Sequence, residues 1–513
     1  MANRSLFSSQ RAAQSNVLNA EGAIAYAMSA KQSLAQLAMT GCLNQTYYAS
    51  AELQLDQVLK LCFEVPGEYL AKTAVYARER GRMKDMPALL CAWLASFDSD
   101  RLEQVFARVI DDGVMLRNFV QMLRSGTVAR KSLGSRPKRL VQQWLERSSD
   151  ERLIRAMVGQ QPSLADVIRM VHPRAASIER SALYGYLIGK PVDHSLLPSE
   201  LIAFERFKLD SRAPLPKLPF QLLTAQPLGR EHWVQIARNA SWTQTRMNLN
   251  TFMRHGVFEE RTMIKLVAKR LADERAIRKA RAFPYQLLTA YQAAQAVPQP
   301  IREALREATE IAVSNVPSLT GSVAVAIDVS GSMGSPVTGY RQGATSATRC
   351  VDVAGLMAAA ILARNKGAMV LPFNDRVRPW NRARGGVLEI AQSLASLLGG
   401  GTCISAPLEQ INRMGMAPDN LIILSDNQSW IDNRQSGATA TQLQWQRIKQ
   451  RNPSAKLICV DLQPYTNSQV ARQQDVLNVG GFADAVFEVI AEFSADRYNT
   501  DHWVRQIEAV DLT

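Results

Sequence analysis

The sequence predicts an α plus α/β protein: a run of short helices over residues 1–315, then a doubly wound α/β domain over residues 316–513. In the first part apolar residues recur at helical spacing and strand-like alternation is scarce. From Ser322 onward short β-branched apolar runs alternate with amphipathic stretches, as in a parallel sheet covered on both faces. The charge divides at the same place. Of 60 Lys+Arg and 46 Asp+Glu, 17 of each lie from residue 321 onward, so the whole excess of +14 falls in the first part. A basic region joined to a neutral one points to a polyanionic partner, against the alternative of a cationic surface with no partner.

In Ser99–Leu123 the residues Leu102, Val105, Phe106, Val109 and Ile110 make one apolar helix face. Ser163 followed three residues later by Asp166 is a capping-box arrangement, and Leu164, Val167, Ile168 and Val171 supply the buried stripe behind it. The stretch Leu183–Ile188 stops at Gly189 with Pro191 beyond. Residues 207–229 carry four prolines and read as a connector. No fixed-period repeat is present, and many short antiparallel helices without one fit an irregular solenoid or ring. In the second part, strands are expected at Ser322–Asp328, Ala368–Phe373, Leu421–Leu424 and Leu457–Val460. Helices are expected at Val351–Lys366, Val387–Leu398 and Thr441–Gln450.

Composition excludes several classes. Hydrophobic residues at 47% and charged residues at 21% are globular values. No apolar run reaches the roughly 18 residues of a membrane helix. The polar stretch Met1–Ala20 shows no secretory signal. Cys42, Cys62, Cys91, Cys350, Cys403 and Cys459 lie far apart and are expected to be reduced, buried thiols of a cytoplasmic protein.

The strand Ser322–Asp328 runs straight into Asp328-Val329-Ser330-Gly331-Ser332, at the edge where doubly wound sheets bind ligands. One carboxylate and two hydroxyls on a tight turn are hard oxygen donors suited to Mg²⁺. Two later turns add oxygen donors: Thr402 after the run Gly399-Gly400-Gly401, and Asp426 after the strand ending in Ser425. Asp328, Ser330, Ser332, Thr402 and Asp426 together resemble, in order and context, the metal-ion-dependent adhesion site of von Willebrand A domains. The resemblance covers about residues 316–513. It implies that the serines and the threonine approach the metal, that the aspartates often act through water, and that a partner's carboxylate fills an open position. Cys403 stands where relatives often have an acidic residue. As an enzyme site the set is poor, because no nearby His or Lys pairs with Ser330 as a base.

The basic part has three candidate contact segments. Between Asp112 and Glu146 no acidic residue occurs, while Arg117, Arg124, Arg130, Lys131, Arg136, Lys138 and Arg139 do, a composition suited to phosphates. Trp144 in this stretch reads as a core residue before a base-stacking one. His172 ends a helix between Arg169 and Arg174, where the dipole favours the protonated ring. Arg246, Asn250 and Arg254 recur every four residues and either face a ligand together or cap neighbouring helices.

These segments resemble the Ro autoantigen family, whose RNA-binding region is the TROVE domain. The residues carrying the resemblance are Arg124-Ser125-Gly126, RKSLGSRPKR (130–139), VIRMVHPR (167–174), NLNTFMRHGVF (248–258) and RAFPYQLLTAYQ (281–292), followed by the A domain. The resemblance implies a ring of HEAT-like helical repeats closed by the A domain. It implies that Y RNA binds the basic outer surface, that single-stranded 3′ ends of misfolded RNA enter a central hole, and that the protein acts as one copy per ribonucleoprotein. By the same resemblance His172, Lys131, Arg136, Lys138 and Arg139 contact RNA, and an exoribonuclease or RNA-repair enzymes are partners. Two other classes stand beside this reading. One is a metal-dependent adhesion cofactor of a MoxR-type ATPase, for which RNA is incidental. The other is a nuclease, against which the five scattered histidines and the lack of clustered carboxylates in the basic part argue.

Overall fold

The computed structural model describes residues 13–512 apart from residues 42, 281, 283, 315, 341–347, 427, 429–437, 464–465, 472 and 496–501. The chain forms two compact units, and neither is continuous in sequence. One comprises Met1–Glu64, Arg281–Thr289 and Arg306–Ala509; the other comprises Val65–Ala280, Ala290–Leu305 and Val510–Thr513. The division differs from the expected boundary at 315/316, because the first 64 residues pack with the sheet rather than with the helices that follow them. Residues 1–64 carry four basic and four acidic side chains, so the helical unit keeps nearly all of the positive excess.

In the sheet-bearing unit, β1 (Val17–Leu18) and β2 (Ile24–Ala27) form a hairpin, and β2 pairs antiparallel with β7 (Asn467–Ser468). Neither strand was legible in the sequence, since two- and four-residue strands show no alternation. The main sheet is parallel throughout, in the order β4 (Met369–Phe373), β3 (Val323–Asp328), β5 (Asn420–Ser425), β6 (Lys456–Asp461), β8 (Val476–Gly480). The four expected strands are present and β8 adds a fifth. Every residue of β3, β5 and β6 is buried, as a sheet covered on both faces requires. One core layer packs Trp445 of the helix Ala440–Arg451 against Phe373, Leu421, Ile423 and Leu457. The helix Cys350–Arg364 passes so near the helix Val387–Ala395 that a Cβ on Gly355 would lie 2.7 Å from the Ala391 carbonyl.

In the helical unit alternate helices stack. The helices Gly67–Glu79, Ser99–Val109, Ser135–Arg147 and Leu164–Val171 form one row; Asp85–Phe97, Gly113–Arg124 and Asp150–Ala156 form the other. This stacking is how helical repeats cover one another's apolar faces. The stripe from Leu102 to Ile110 belongs to the helix Ser99–Val109 alone. Asp112 starts a new helix by accepting hydrogen bonds from the Val114 and Met115 amides, both at 2.8 Å. Replacing Asp112 by Ala is expected to cost about 1 kcal/mol in urea unfolding of this unit. Its ion pair with Arg78 adds little, because the Asp112 side chain is half exposed. The capping box of Ser163 and Asp166 is formed as expected. Cys62, Cys91, Cys350, Cys403 and Cys459 are free and buried, while Cys42 lies outside the described residues. Among the described residues no helix is long and apolar enough to cross a membrane.

Candidate metal centre and cationic surface

The registers of β3, β5 and β6 set Asp328 beside Ser425, and Ser425 beside Asp461, so the carboxyl ends of three neighbouring strands finish level. Asp328 accepts hydrogen bonds from the Ser425 hydroxyl at 2.6 Å and from the Ser330 amide at 2.8 Å. The Ser330 and Ser332 hydroxyls lie 3.3 Å apart. The glycine run closes the opposite side. Gly400, with φ near +88°, offers its carbonyl to the Gly331 amide at 2.9 Å, and a Cβ there would lie 2.6 Å from the Asn374 side chain. Asn374, at the end of β4, holds the run by donating to the Gly399 carbonyl at 2.7 Å and by accepting the Cys403 amide on its own carbonyl at 2.8 Å. Sequence reasoning missed Asn374. Cys403 is buried with its sulfur 3.5 Å from the Ser405 hydroxyl.

Asp328, Ser330, Ser332, Thr402 and Asp426 are all buried. Burial raises the Asp328 carboxyl above its usual range, against the Ser425 and Ser330 hydrogen bonds that lower it. Burial first, and then the Asp328 charge, push Asp426 up to about 7. Both Asp426 oxygens are enclosed without a well-placed hydrogen-bond partner. Two buried like charges, one of them with idle oxygens, are costly unless a cation compensates them. The donor set therefore fits a hard divalent ion. Among the described residues no three His, Cys, Asp or Glu side chains gather as a metal cluster, so such an ion depends on the hydroxyls of Ser330, Ser332 and Thr402 as well.

In the helical unit two of the three candidate segments meet. Gln142 of the helix Ser135–Arg147 donates to the Val171 carbonyl at 2.6 Å, and Glu146 accepts the Arg174 amide at 2.8 Å. Lys138, Gln142 and Glu146 follow one another at four-residue spacing, so one helix face links Lys138 to His172 and Arg174. His172 is an exposed αL cap with φ near +53°. Arg124, Lys131 and Arg139 are exposed, and Lys138 is half-buried.

The acid-free run is less free than it reads. Arg136 lies 2.5 Å from Asp100, and Arg139 lies 2.6 Å from Glu103, both acids on the neighbouring helix. Arg130 donates to the Leu133 carbonyl, Arg117 is buried, and Trp144 is a core residue bonded to the Ile110 carbonyl. Among the described residues Arg124, Lys131, Lys138 and Arg174 form no salt bridge. The third segment does not join this surface as a helix face. The helix Trp242–Met247 ends at Asn248, which starts the helix Leu249–Arg254, so the four-residue spacing of Arg246, Asn250 and Arg254 crosses a break. Asn250 donates to the Ala293 carbonyl, Arg246 is half-buried beside Trp242, and Arg254 is exposed.

Known proteins resemble the chain in the same two parts. Residues 322–494 match the Ro60 vWA domain family. The protein named RNA-binding protein RO60 of Deinococcus radiodurans is 26% identical, over 94% of this chain and 96% of that one. The crystal structure of the Deinococcus radiodurans RO (RSR) protein matches with a TM-score of 0.62 at 22% identity, covering 92% of this chain and 100% of that one, a likeness of fold. Residues 322–494 are thus similar to A domains of the Ro60 type, and the likeness to a Ro protein runs along nearly the whole length of the chain, through the stacked helical region as well.

Proposed function

We propose that the chain is a non-catalytic RNA-binding scaffold of a ribonucleoprotein acting in RNA quality control, decay or repair. One observation carries this reading: the face of the helix Ser135–Arg147 that joins Lys138 to His172 and Arg174, with Arg124 and Lys131 exposed in the residues that lead into that helix. Small structured Y-like RNA binds there through phosphates, and single-stranded 3′ ends of misfolded RNA take the central hole that the family resemblance implies. The name of the Deinococcus relative supports RNA as the partner. Arg136 and Arg139 join the contact by exchanging Asp100 and Glu103 for phosphate, since an exposed ion pair is worth at most about 1 kcal/mol. Asp328, Ser330, Ser332, Thr402 and Asp426 hold a divalent ion, Mg²⁺ by the chemistry of the donors. An exoribonuclease or RNA-repair enzymes are the protein partners of such a particle.

The test is binding of a small structured RNA across a salt series. With about five phosphates engaged, affinity is expected to fall by two to three orders of magnitude between about 50 and 200 mM salt. Flat, weak binding to every structured RNA, together with Mg²⁺-dependent capture of a MoxR-type ATPase, would replace this reading with the adhesion-cofactor one.

A further inference from the structure

The helix Arg261–Leu271 carries a row of cations that none of the three candidate segments contains. Met263, Val267 and Leu271 recur every four residues and are buried. Arg261, Lys265 and Lys269 each stand two positions from one of these, about 200° round the helix, so they face outward, and all three are exposed. The helix is fixed at its carboxyl end. Arg270 turns inward and donates to the Ala237 and Arg238 carbonyls, both at 2.7 Å, and Trp242 Nε1 donates to the Leu271 carbonyl at 3.0 Å. The acids on either side are engaged elsewhere. Glu259 and Glu260 lie 3.3 and 3.6 Å from Arg230, Asp273 accepts the Ala276 amide at 2.7 Å, and Glu274 holds Arg278 at 2.7 Å. Among the described residues Arg261, Lys265 and Lys269 form no salt bridge and no side-chain hydrogen bond.

Such a row weakens the free protein. Lys265 has a like charge four residues away on each side, and Arg261 sits at the positive end of the helix dipole. An anion laid along the row relieves both effects. We propose that this helix face is a second RNA contact, on which Arg261, Lys265 and Lys269 follow the phosphates of one strand whatever its bases. The inference rests on the reading of the chain as an RNA-binding protein and adds a site to it. Four residues of helix advance about 6 Å, close to the step between neighbouring phosphates on one strand, so three consecutive phosphates each meet a cation. Lysine and arginine on phosphates give affinity that is indifferent to sequence. The surroundings argue against a protein or a lipid surface. No large apolar side chain of this helix is exposed, so a partner protein finds no anchor there. The apolar stripe is buried inside the unit, so the helix has none to lay into a membrane.

The test is fluorescence-anisotropy titration of labelled oligouridine with the full-length protein across a salt series. The proteins are the wild type, the triple variant Arg261→Gln, Lys265→Gln, Lys269→Gln, and Lys265→Gln alone. A labelled RNA hairpin and a poly-aspartate competitor run beside them. The triple variant is expected to bind oligouridine at least about 10-fold more weakly at about 100 mM salt, with a salt slope shallower by about two units. Lys265→Gln alone should lose about 0.7 of a unit of slope. Thermal scans should show neither variant melting below the wild type, since both relieve like-charge repulsion. Unchanged affinity and slope of the triple variant, beside a wild type that binds RNA, overturn this contact and leave the RNA reading standing. A lower melting temperature for Lys265→Gln makes the row a part of the fold and overturns the proposal as well. Poly-aspartate that displaces the label as readily as unlabelled oligouridine does overturns the choice of RNA, because the row then takes any polyanion. If the wild type binds neither oligouridine nor the hairpin, the RNA reading falls and this contact falls with it.

Discussion

Chelator-treated protein is expected to melt at higher temperature when Asp426 is replaced by Asn, and only the wild type should then gain stability from Mg²⁺. Asp328 and Asp426 are fully buried carboxylates that disfavour one another's charge, and neither Asp426 oxygen has a well-placed hydrogen-bond partner. Removing one charge relieves that repulsion in the metal-free protein and leaves a side chain of the same shape. A cation reverses the balance. At about 100 times its dissociation constant it adds about 2.7 kcal/mol to the folded state. For a domain of some 200 residues that is a rise of about 5 °C or more in Tm, which a thermal scan with and without Mg²⁺ resolves. A wild-type Tm that does not move at millimolar Mg²⁺, with Asp426→Asn less stable than wild type in chelator, would remove the cation from this site.

The second large effect is expected on RNA. Reversing Arg124, Lys131 and Lys138 together to Glu should lower affinity for a small structured RNA by at least about 100-fold and flatten the salt dependence by nearly three units of slope. These three make no salt bridge among the described residues, so their reversal removes phosphate contacts without stranding a carboxylate of the fold. Arg136 and Arg139 require a different substitution. Glu at either position would face Asp100 or Glu103, so the fold itself would be disturbed; Ala is the proper change. Arg136→Ala with Arg139→Ala should cost less than the triple reversal, because each arginine has to leave a carboxylate before it reaches a phosphate. Filter binding at two salt concentrations separates the two sets. Unchanged affinity of the triple variant for every RNA tried would move the interface elsewhere.

The sheet and the oxygen donors at its carboxyl edge were legible because both are local. A fully apolar strand followed by Asp-x-Ser-x-Ser is written within about ten residues, and Ser425-Asp426 repeats the same logic on β5. Other features depended on elements that sequence order separates. The run from Arg117 to Arg139 holds no acid, yet the helix one row earlier lays Asp100 and Glu103 alongside it. The spacing of Arg246, Asn250 and Arg254 allows either a shared ligand face or separate contacts to neighbouring helices, and only the break at Asn248 and the bond from Asn250 to the Ala293 carbonyl decide against the shared face. The pairing of β2 with β7 could not be read from sequence, because no periodicity connects a short hairpin to a strand several hundred residues later. Asn374 was within reach: a polar residue ending β4 beside the Gly run is the kind of side chain that holds such a loop.

The pairing of Gln36 with Asp461 also imposes an order on biosynthesis. Gln36 Nε2 donates to the Asp461 carboxylate at 2.8 Å, a buried contact across 425 residues. At ribosomal speeds of roughly 5–20 residues per second, the first 64 residues wait roughly 20–90 s for the sheet they belong to. Their apolar side chains, Leu34, Leu37 and Met39 among them, spend that interval without their final neighbours, while the intervening helices are already free to stack. Chaperone demand during translation should therefore concentrate on the amino-terminal segment.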